Sequence, residues 1–480
     1  MNKSAILKLS LLTSALLVNS LHASAPKERN FSVREAIQGV TKQPSKGVDD
    51  VKTTDANSKT DDSVPATRRK RNSSVRSAIQ GVTKQQSKEI DIVDGFKHMF
   101  KDGKASGHIR SMYSDYNYDN ATSTYATALG GWLKYELAEY KGFNAGVAFT
   151  TSYDLDFASG DSADGHRNDE LSSSIGHYTE VSEAYINYRY KAFNVRGGRQ
   201  VIDTPLADSD DVRMIMNTFE GYTLSFEMDA FSFLGGHLMR WQGTDAGLDA
   251  TNPWVKIGKD GVNFGGITYS NDYVETNLWY YNISNASEQD IVNGADANGN
   301  NAVYVDVVGS FEISDNTEIH AGLQYLKESE LDNSGVEADI FGAMGEVVIG
   351  GLGLNVAYNQ SLKKDGKHSF SGYGGGTLFT NMDAMIIDEI TEDRDAYAVV
   401  GGVVYEYNHI NLLYAYGDFQ GDADSSGAKA HIVEQNIGLE YSPNDNFTAG
   451  AIYVIDDNKE DATSEDFNDK NFRVLISYSF

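Results

Sequence analysis

The sequence contains no cysteine, and no long apolar segment follows its first 25 residues. A helix that spans a membrane needs about 20 consecutive, mostly apolar residues, so the body of the chain does not cross a membrane with helices. The mean hydropathy of −0.42 and the net charge of −29 agree with that conclusion. They do not exclude a membrane protein built from strands, because alternating strands average out to polar. The lack of cysteine is compatible with export.

Proline is also scarce. Of the 6 prolines, three precede residue 90 and three fall in segments expected to be loops or turns: Pro205, Pro253 and Pro443. Proline has no N–H to donate, so a closed sheet that uses every backbone N–H contains very little of it. Aromatic residues, in contrast, are plentiful. The 28 Tyr, 21 Phe and 4 Trp are enough to form the two aromatic girdles of an outer-membrane barrel.

Apolar and polar residues alternate up to the last residue. The chain ends "NFRVLISYSF", where one parity is apolar: Phe472, Val474, Ile476, Tyr478 and Phe480. The other parity is polar except for Leu475. A period of two places these sets on opposite faces of a strand. The pattern suits a half-buried strand of a soluble sheet, and it also suits the closing strand of an outer-membrane barrel with lipid outside and water inside.

The lengths of the connections separate these two interpretations. The alternation recurs from Lys104 onward, and short turns join eight pairs of alternating segments: 140–142, 190–193, 229–232, 270–272, 314–317, 350–353, 407–409 and 443–446. Longer polar connections, such as 158–177 and 366–392, mostly lie between them. Short turns on one rim and long loops on the other are typical of outer-membrane barrels. The sequence therefore predicts an all-β fold, a transmembrane antiparallel β-barrel of about 18 strands over residues 95–480.

The first 94 residues are expected to lie outside the barrel. Residues 1–25 have the basic start, the apolar stretch and the small residues of a secretory signal peptide, cleaved after residue 23 or 25. Residues 26–94 are expected to form a basic periplasmic extension, short and partly helical or disordered. It contains a duplicated segment, "SVREAIQGVTKQPSK" at 32–46 and "SVRSAIQGVTKQQSK" at 74–88. Residues 26–90 carry a net charge of +6, whereas the chain beyond them carries −37.

Three interpretations of this extension compete. Its polar composition is typical of a disordered tail. The basic "RRKR" at 68–71 suggests nucleic-acid binding, but the chain is expected to be exported and no recognition motif accompanies the cluster. In the third interpretation, one short helix of the duplicated segment enters the acidic barrel and tunes conduction, held there by opposite charge.

Residues 182–224 resemble the OprD-type porins of Gram-negative outer membranes, in the form common in epsilonproteobacteria. The shared features are a strand ending in "GGRQ", then "DTPL", an acidic loop that contains an arginine, and "NTFEGY" at the start of the next strand. Residues 102–119 and 130–149 are similar to the first strands of that family. The resemblance covers roughly residues 95–480 and implies 18 strands, in agreement with the count of turns.

The resemblance implies a passive channel for small hydrophilic solutes and ions in the outer membrane of a Gram-negative bacterium. It further implies that residues 204–218 form a loop that folds inward and narrows the pore, with the charged residues Asp208, Asp210, Asp211 and Arg213. Such charges are costly to bury in protein but natural beside water. A solvated external loop is the alternative interpretation of the same residues.

OprD-type porins guide carboxylate-bearing solutes with a ladder of arginines. Carried over to this chain, that role falls on Arg110, Arg189, Arg196, Arg199, Arg213 and Arg240. Glu183 and Glu227 join Arg110, Arg189 and Arg196 on the parity expected to face inward. Arg199 has the lipid-facing parity unless Gly197 and Gly198 form a bulge, and the direction of Arg240 is left open.

An acidic loop opposite a basic wall would set up a transverse electric field in the pore, and such a field orients dipolar solutes. The charge of −37 beyond residue 90 argues for the concentration of cations at the mouth, although salt screens loop charges within about 10 Å. The sequence therefore predicts a modest cation preference in bulk conduction, with local solute selection by the arginines.

Other functions have less support. No cofactor is expected, and Ca²⁺ binding by loop carboxylates at 295–302 or 418–424 is a weak alternative because no complete EF-type loop is present. The histidines are scattered outside G-x-S-x-G and H-E-x-x-H settings, so an enzyme is not expected.

A surface adhesin or receptor is the remaining alternative, since long polar loops also suit partner binding. The expected partners are outer-membrane lipids, small polar solutes and ions, and the barrel-assembly machinery through Phe480; a homotrimer is left open and nucleic acid is not expected.

Overall fold

The computed structural model describes residues 93–119, 121–287, 291, 297–370, 372–460 and 469–480. The signal peptide, the duplicated segment and nearly all of the 26–94 extension lie outside the described residues, as does part of the 295–302 loop. What the sequence predicts for those segments stays a prediction.

Nineteen antiparallel strands lie within the described residues and form one sheet. Their bounds are β1 (Lys104–Tyr118), β2 (Thr124–Glu136), β3 (Phe143–Asp154), β4 (His177–Tyr190), β5 (Phe193–Gln200), β6 (Thr218–Met228), β7 (Phe231–Gln242), β8 (Val255–Lys256), β9 (Val262–Ser270), β10 (Val274–Ile283), β11 (Asn300–Ser314), β12 (Thr317–Glu330), β13 (Ala338–Ile349), β14 (Leu352–Ser361), β15 (Ala396–Tyr407), β16 (Ile410–Gly421), β17 (Ala430–Asn444), β18 (Phe447–Asn458) and β19 (Asp469–Ser479).

The sheet closes into a barrel because β1 pairs with both β2 and β19. At the seam, the N–H of Gly107 donates to the Phe480 carbonyl at 3.1 Å, and the N–H of Phe480 donates back at 3.0 Å. The two-residue β8 and the longer β9 both pair with β7, so β8 and β9 together occupy one strand position in the wall. The barrel therefore has eighteen strands. The predicted fold is confirmed. Closure leaves no strand edge unpaired, which is the condition for crossing lipid with strands.

Each of the eight predicted short turns joins two strands that are neighbours in the sheet. Several of these turns use left-handed backbone, as at Lys191 (φ 56°), Asp229 (φ 51°) and Asn408 (φ 46°). Left-handed residues are typical of the tight hairpin turns whose twist matches that of the flanking strands. The longer loops, including 155–176, 201–217 and 362–395, therefore begin and end at the opposite rim.

Side chains on the two faces of the wall differ as the alternation predicts. Outward positions such as Ile186, Val356 and Ile437 are apolar and exposed, as a lipid-facing surface should be. Inward positions such as Asn277 and His320 are polar and buried. Outward aromatic side chains also collect at the rim of the short turns. We call this set the short-turn girdle: Tyr135, Phe143, Tyr188, Tyr190, Phe193, Phe231, Tyr407, Tyr441, Tyr478 and Phe480.

Loops occupy part of the lumen and change the inward pattern there. Leu475, the apolar residue on the polar parity of β19, packs in a buried cluster with Met112, Leu171, Met214 and Leu248. Leu171, Met214 and Leu248 come from three different loops. The exception in the alternation is therefore explained by loops that fold back onto the inner wall.

Helical structure is sparse in the part of the chain that the structure describes. Residues 93–101 are helical and precede β1, and three 3₁₀-helices lie in loops: Asp156–Ala158, Thr244–Ala246 and Ile387–Ile390. Within the described ranges, no helix has the length and the apolar character that crossing a bilayer requires.

Candidate functional site

The loop between β5 and β6, residues 201–217, crosses the inside of the barrel; we call it the crossing loop. The N–H of Leu206 donates to the hydroxyl of Tyr281 on β10 at 3.3 Å. Further along, the carboxylate of Asp211 accepts two hydrogen bonds from Arg110 on β1. In the closed sheet, β1 is four strands from β5 and β10 is three strands from β6 on the other side. A loop that reaches inward side chains of both strands must pass through the lumen.

Apolar residues of the crossing loop keep it inside. Ile202, Leu206 and Ala207 are buried in one cluster with Trp241 of β7 and Tyr373. The backbones of Ala207 and Tyr373 form a β-bridge, which ties the crossing loop to the 362–395 loop. Burial of apolar area contributes about 25 cal/mol for each Å² removed from water. These contacts stabilise the inward position independently of the loop's charges.

Arg110 clamps the charged end of the crossing loop to the wall. Its Nη1 lies 2.7 Å from Oδ1 of Asp211 and its Nη2 lies 3.2 Å from Oδ2, a two-point contact between planar groups. Nη1 also donates to the carbonyl of Arg213. The Arg110 side chain is fully buried. Because this guanidinium is enclosed, its contacts position the loop.

Two arginines and two carboxylates meet beside this clamp. The Nε of Arg213 donates to Glu170, and Nη2 of Arg473 on β19 donates to Asp383. Two longer contacts complete the ring: Arg473 Nη1 is 3.8 Å from Glu170 Oε1, and Arg213 Nη1 is 4.0 Å from Asp383 Oδ1. We call these residues the four-charge cluster. It joins three loops to one another and to the strand that closes the barrel.

The wall supports both carboxylates of the cluster. Ser114 on β1 donates to Oε2 of Glu170 at 3.0 Å. Glu434 on β17 accepts the N–H groups of Asp383 at 3.0 Å and Ala384 at 3.3 Å. The segment that carries Asp383 is therefore held by a buried carboxylate on one side and by arginines on the other.

The cluster favours the charged form of its members. Burial alone would raise the pKa of the Glu170 carboxyl, but the attraction of Arg213 and Arg473, with hydrogen bonds from Ser114 and Arg213, outweighs it and lowers the pKa. Burial would lower the pKa of the Arg213 guanidinium, but Glu170 and Asp383 raise it well above its usual value. Charge pairing therefore dominates desolvation at this point of the lumen.

The depressed pKa of Glu170 predicts a pH dependence. A carboxyl with a lowered pKa stabilises the folded loops at every pH above its unfolded value of about 4.3, and this contribution is lost as the pH falls through the folded pKa. The contribution of Glu170 to the order of the loops is expected to stay constant between pH 7 and pH 5, and single-channel conductance should rise in the acid range below about pH 4 as the loops loosen. Glu170→Gln should remove the step below about pH 4. A step between pH 7 and pH 5 that Glu170→Gln abolishes would contradict this assignment.

Several of the remaining predicted residues lie lower in the barrel, towards the short turns. Glu183 pairs with Lys134, with 2.9 Å between Oε2 and Nζ. Arg196 stacks over the ring of Tyr185 at 4.3 Å, and its Nε donates to Oδ1 of Asn187 at 3.4 Å. These residues form a separate polar patch on the inner faces of β2, β4 and β5.

Arg199 has close partners but no bulge beneath it. The pairing of β5 with β4 and β6 runs through Gly197 and Gly198 without a register shift, so the bulge that these glycines would allow is absent. Arg199 Nη1 lies 2.8 Å from Glu180 Oε1, and its guanidinium lies 4.4 Å from the centre of the Trp254 ring. A carboxylate and an aromatic ring therefore hold this arginine in place.

The other candidates lie outside the four-charge cluster. Arg189 and Glu227 are exposed near the short turns, and Arg240 is exposed towards the far end of β7. In the crossing loop, Oδ1 of Asp208 accepts the N–H of Asp210 at 2.6 Å, a contact within the loop itself. Of the eleven residues that the sequence nominates, the structure brings together Arg110, Asp211 and Arg213.

The basic side chains of the described inner wall all lie on one part of it. In β9–β18, all of which the structure describes, the inward parity carries no Lys or Arg but many acids: Glu275, Asp306, Glu318, Glu328, Glu346, Glu406, Glu434, Glu440 and Asp456. The remaining wall, β19 and β1–β7, carries Lys104, Arg110, Lys134, Arg189, Arg196 and Arg473 on its inward parity, together with the acids Glu136, Glu183 and Glu227. We call these the acidic half and the basic half.

This arrangement differs from the expected field between the acidic loop and a basic wall. Asp211 does not face the arginines across open water, because it is paired directly with Arg110. The negative side of the lumen is instead supplied by the strands of the acidic half. These acids lie in consecutive segments of the chain, and their common side follows from strands that pair in chain order.

Four members of the interior network were missed in the sequence: Glu170, Asp383, Glu434 and Arg473. Arg473 and Glu434 had a usable signal, because each occupies the inward parity of an alternating strand. Glu170 and Asp383 had none, since they lie in long loops whose course is set by distant contacts.

The comparisons with known proteins agree with this geometry. The family model described as outer membrane porin, OprD family, matches residues 97–396. The crystal structure of OccAB3 from Acinetobacter baumannii is 14% identical to this chain, and the match covers 79% of this chain and 99% of OccAB3, with a TM-score of 0.66. The crystal structure of OccAB2 from the same organism is 17% identical, and the match covers 80% of this chain and 99% of OccAB2, also with a TM-score of 0.66. A crystal structure of OpdK with vanillate from Pseudomonas aeruginosa is 15% identical, covers 80% of this chain and 99% of its own, and has a TM-score of 0.64. No curated protein sequence gives a significant match.

Proposed function

The chain belongs to the OprD family of outer membrane porins, and we propose that it sorts small polar solutes by charge where the crossing loop narrows its lumen. Family membership and the 18-stranded barrel make it an outer-membrane channel for small solutes in a Gram-negative bacterium. Porins are not enzymes, and the family match favours a channel over the adhesin or receptor considered above.

The observation that carries the proposal is the separation of charge between the two halves of the wall. Every inward Lys and Arg of the described strands belongs to β19 or β1–β7, where a few acids accompany them, whereas the charged inward residues of β9–β18 are all acids. Opposed charges across a narrow water-filled passage produce a transverse field that aligns a dipolar solute. A zwitterionic solute would turn its cationic end to the acidic half and its carboxylate to the basic half.

The arginines divide into two roles. Arg110 and Arg473 are fully buried and Arg213 is mostly buried, and each binds carboxylates of the protein, so these three set the shape of the constriction. Arg196 is partly exposed and Arg189 is exposed, and both have the inward parity, which leaves these two accessible to a solute carboxylate. Arg199 keeps the lipid-facing parity, because no bulge turns it inward. We therefore assign solute guidance to the second group, with Lys134 beside Arg196 near the Tyr185 ring.

The proposal predicts a modest preference for cations in bulk conduction. The many inward acids and the charge of −37 beyond residue 90 raise the local concentration of cations, and the basic half moderates the effect. The measurement is the reversal potential of the full-length protein in planar bilayers under a KCl gradient. The expected sign is that of cation selectivity, and it should weaken as the salt concentration rises. Clear anion selectivity would refute the charge assignment, and an absence of channels would refute the function.

Two finer partner assignments belong to the same proposal. Phe480 ends the closing strand with its ring exposed, and we assign it to recognition by the barrel-assembly machinery. Association of three barrels into a homotrimer would bury part of the outward apolar face. Cross-linking in isolated outer membranes measures that association.

A further inference from the structure

The helix at residues 93–101 is docked on the rim of the barrel beside the turn between β2 and β3. Met99 is buried, and its carbonyl accepts the N–H of Ala138 at 3.0 Å. Gly95, one turn earlier, lies so close to Tyr140 that an added Cβ would come within 2.3 Å of the aromatic ring. Gly95 and Met99 are four residues apart and share one face, so this face is the one that attaches the helix.

The end of the helix lies on the lipid side of the wall. The hydroxyl of Tyr135 donates to the carbonyl of Phe100. Tyr135 has the outward parity of β2 and belongs to the short-turn girdle, where it is 36% exposed. A helix whose last turn is bound by an outward side chain extends the lipid-facing surface and does not lie over the lumen.

A second face of the helix is apolar and exposed. Val93, Phe96 and Phe100 recur at intervals of three and four residues, and the two phenylalanines are 55% and 61% exposed. They line a shallow surface groove together with Lys97 and Lys101. Three exposed apolar side chains beside an aromatic girdle extend the surface that the barrel presents to lipid.

Charge on the helix is arranged around this apolar face. At 100° per residue, Lys97 and Lys101 follow the apolar stripe on one side, and Asp94, His98 and Asp102 lie further round the helix. Long lysine side chains beside an apolar stripe reach from the acyl region to headgroup phosphates. A helix with an apolar stripe and flanking lysines is typical of one that lies in the plane of a membrane interface.

We propose that residues 93–101 form an interfacial membrane anchor, with Phe96 and Phe100 inserted into the phospholipid leaflet around the short-turn rim and Lys97 and Lys101 bound to headgroup phosphates. The partner is the phospholipid bilayer, because the apolar stripe continues the girdle that already faces it. This inference does not depend on how the lumen selects solutes.

The test exploits the absence of cysteine, so that a single introduced thiol is the only labelling site. Full-length Phe96→Cys and Phe100→Cys, each carrying an environment-sensitive fluorophore, are reconstituted into phosphatidylethanolamine–phosphatidylglycerol bilayers with and without brominated acyl chains. Both labels should be quenched at least half as strongly as a label at Ile186→Cys on the outward face of β4, which is 67% exposed. A label at His98→Cys, on the opposite side of the helix, should be quenched several-fold less.

Each other occupant of the groove gives a different result. If the preceding segment of the chain or a second copy covered it, the labels at 96 and 100 would report an apolar environment but brominated lipid would not quench them. If the groove faced water, the labels would report a polar environment. Either result would overturn the proposal.

A charge variant tests the lysines. Lys97→Glu combined with Lys101→Glu should at least halve the quenching at position 100 in bilayers that contain phosphatidylglycerol. Lys364→Glu, in a loop at the other rim, is the matched control and should leave the quenching unchanged. The heat-dependent shift of the barrel on gels verifies folding. Unchanged quenching in the folded double variant would overturn the role of the lysines.

Discussion

Replacing Arg473 by methionine is expected to increase the single-channel conductance and to make the open level fluctuate. Arg473 is fully buried on β19 and binds Asp383 and Glu170, which belong to two different loops. Its loss leaves these two carboxylates with Arg213 as the remaining arginine of the cluster. Removing one partner of a buried ion pair costs about 3–5 kcal/mol, because the other charge stays buried without compensation. The loops can recover that free energy only by moving their carboxylates into water, which opens the lumen.

The controls separate this effect from damage to the barrel. Methionine keeps most of the unbranched stem, so the packing of β19 should survive, and the heat-dependent gel shift of the barrel should stay as in the parent protein. Arg240→Met, at an exposed site towards the far end of β7, should leave the conductance unchanged. Adding Asp383→Asn to Arg473→Met should make the open level fluctuate less than in Arg473→Met alone, because the effects of substituting two paired residues are not additive. A folded Arg473→Met variant with unchanged conductance would show that the cluster does not hold the loops.

Neutralising three acids of the acidic half is expected to abolish or invert the cation preference. The change is Glu318→Gln, Glu406→Gln and Glu440→Gln, on three strands that face the lumen. A unit charge about 10 Å from a permeating ion contributes roughly 0.4 kcal/mol in water, which is close to a twofold effect on local concentration. Three such charges together change the local concentration of cations several-fold in alkaline buffer, where these carboxyls are ionised. The reversal potential under a salt gradient should therefore move towards anions, most strongly at low ionic strength.

A second triple variant removes the same charge elsewhere. Asp164→Asn, Asp365→Asn and Asp422→Asn alter exposed loop positions and should shift the reversal potential much less. Equal shifts for the two triples would mean that total charge, and not its position on the wall, sets the selectivity. That outcome would contradict the segregated lumen while leaving the barrel assignment intact.

The barrel could be predicted from the sequence because strand alternation and turn conformation depend on neighbouring residues. A period of two sorts side chains to opposite faces whatever the rest of the chain does, and short turns need particular residues, such as those with left-handed backbone at Lys191 and Asn408. The strand count, the eight turns and the closing role of the last strand follow from these rules. The burial of Leu475 could not be predicted in this way, because it depends on loops that reach β19 from elsewhere in the chain.

The sequence by itself determined that the chain forms a closed barrel, apolar outside and polar inside, with a charged loop after β5. Only the tertiary structure decided which charges meet. Arg110 pairs with Asp211, which is 101 residues away in the sequence, and Arg473 pairs with Asp383, which is 90 residues away. No periodic pattern in the sequence predicts pairs with such separations. The position of Arg473 beside the basic strands was also settled there, because it needs β1 to close against β19. The physical reason is that alternation is a property of neighbouring residues, whereas ion pairing depends on where distant segments end up.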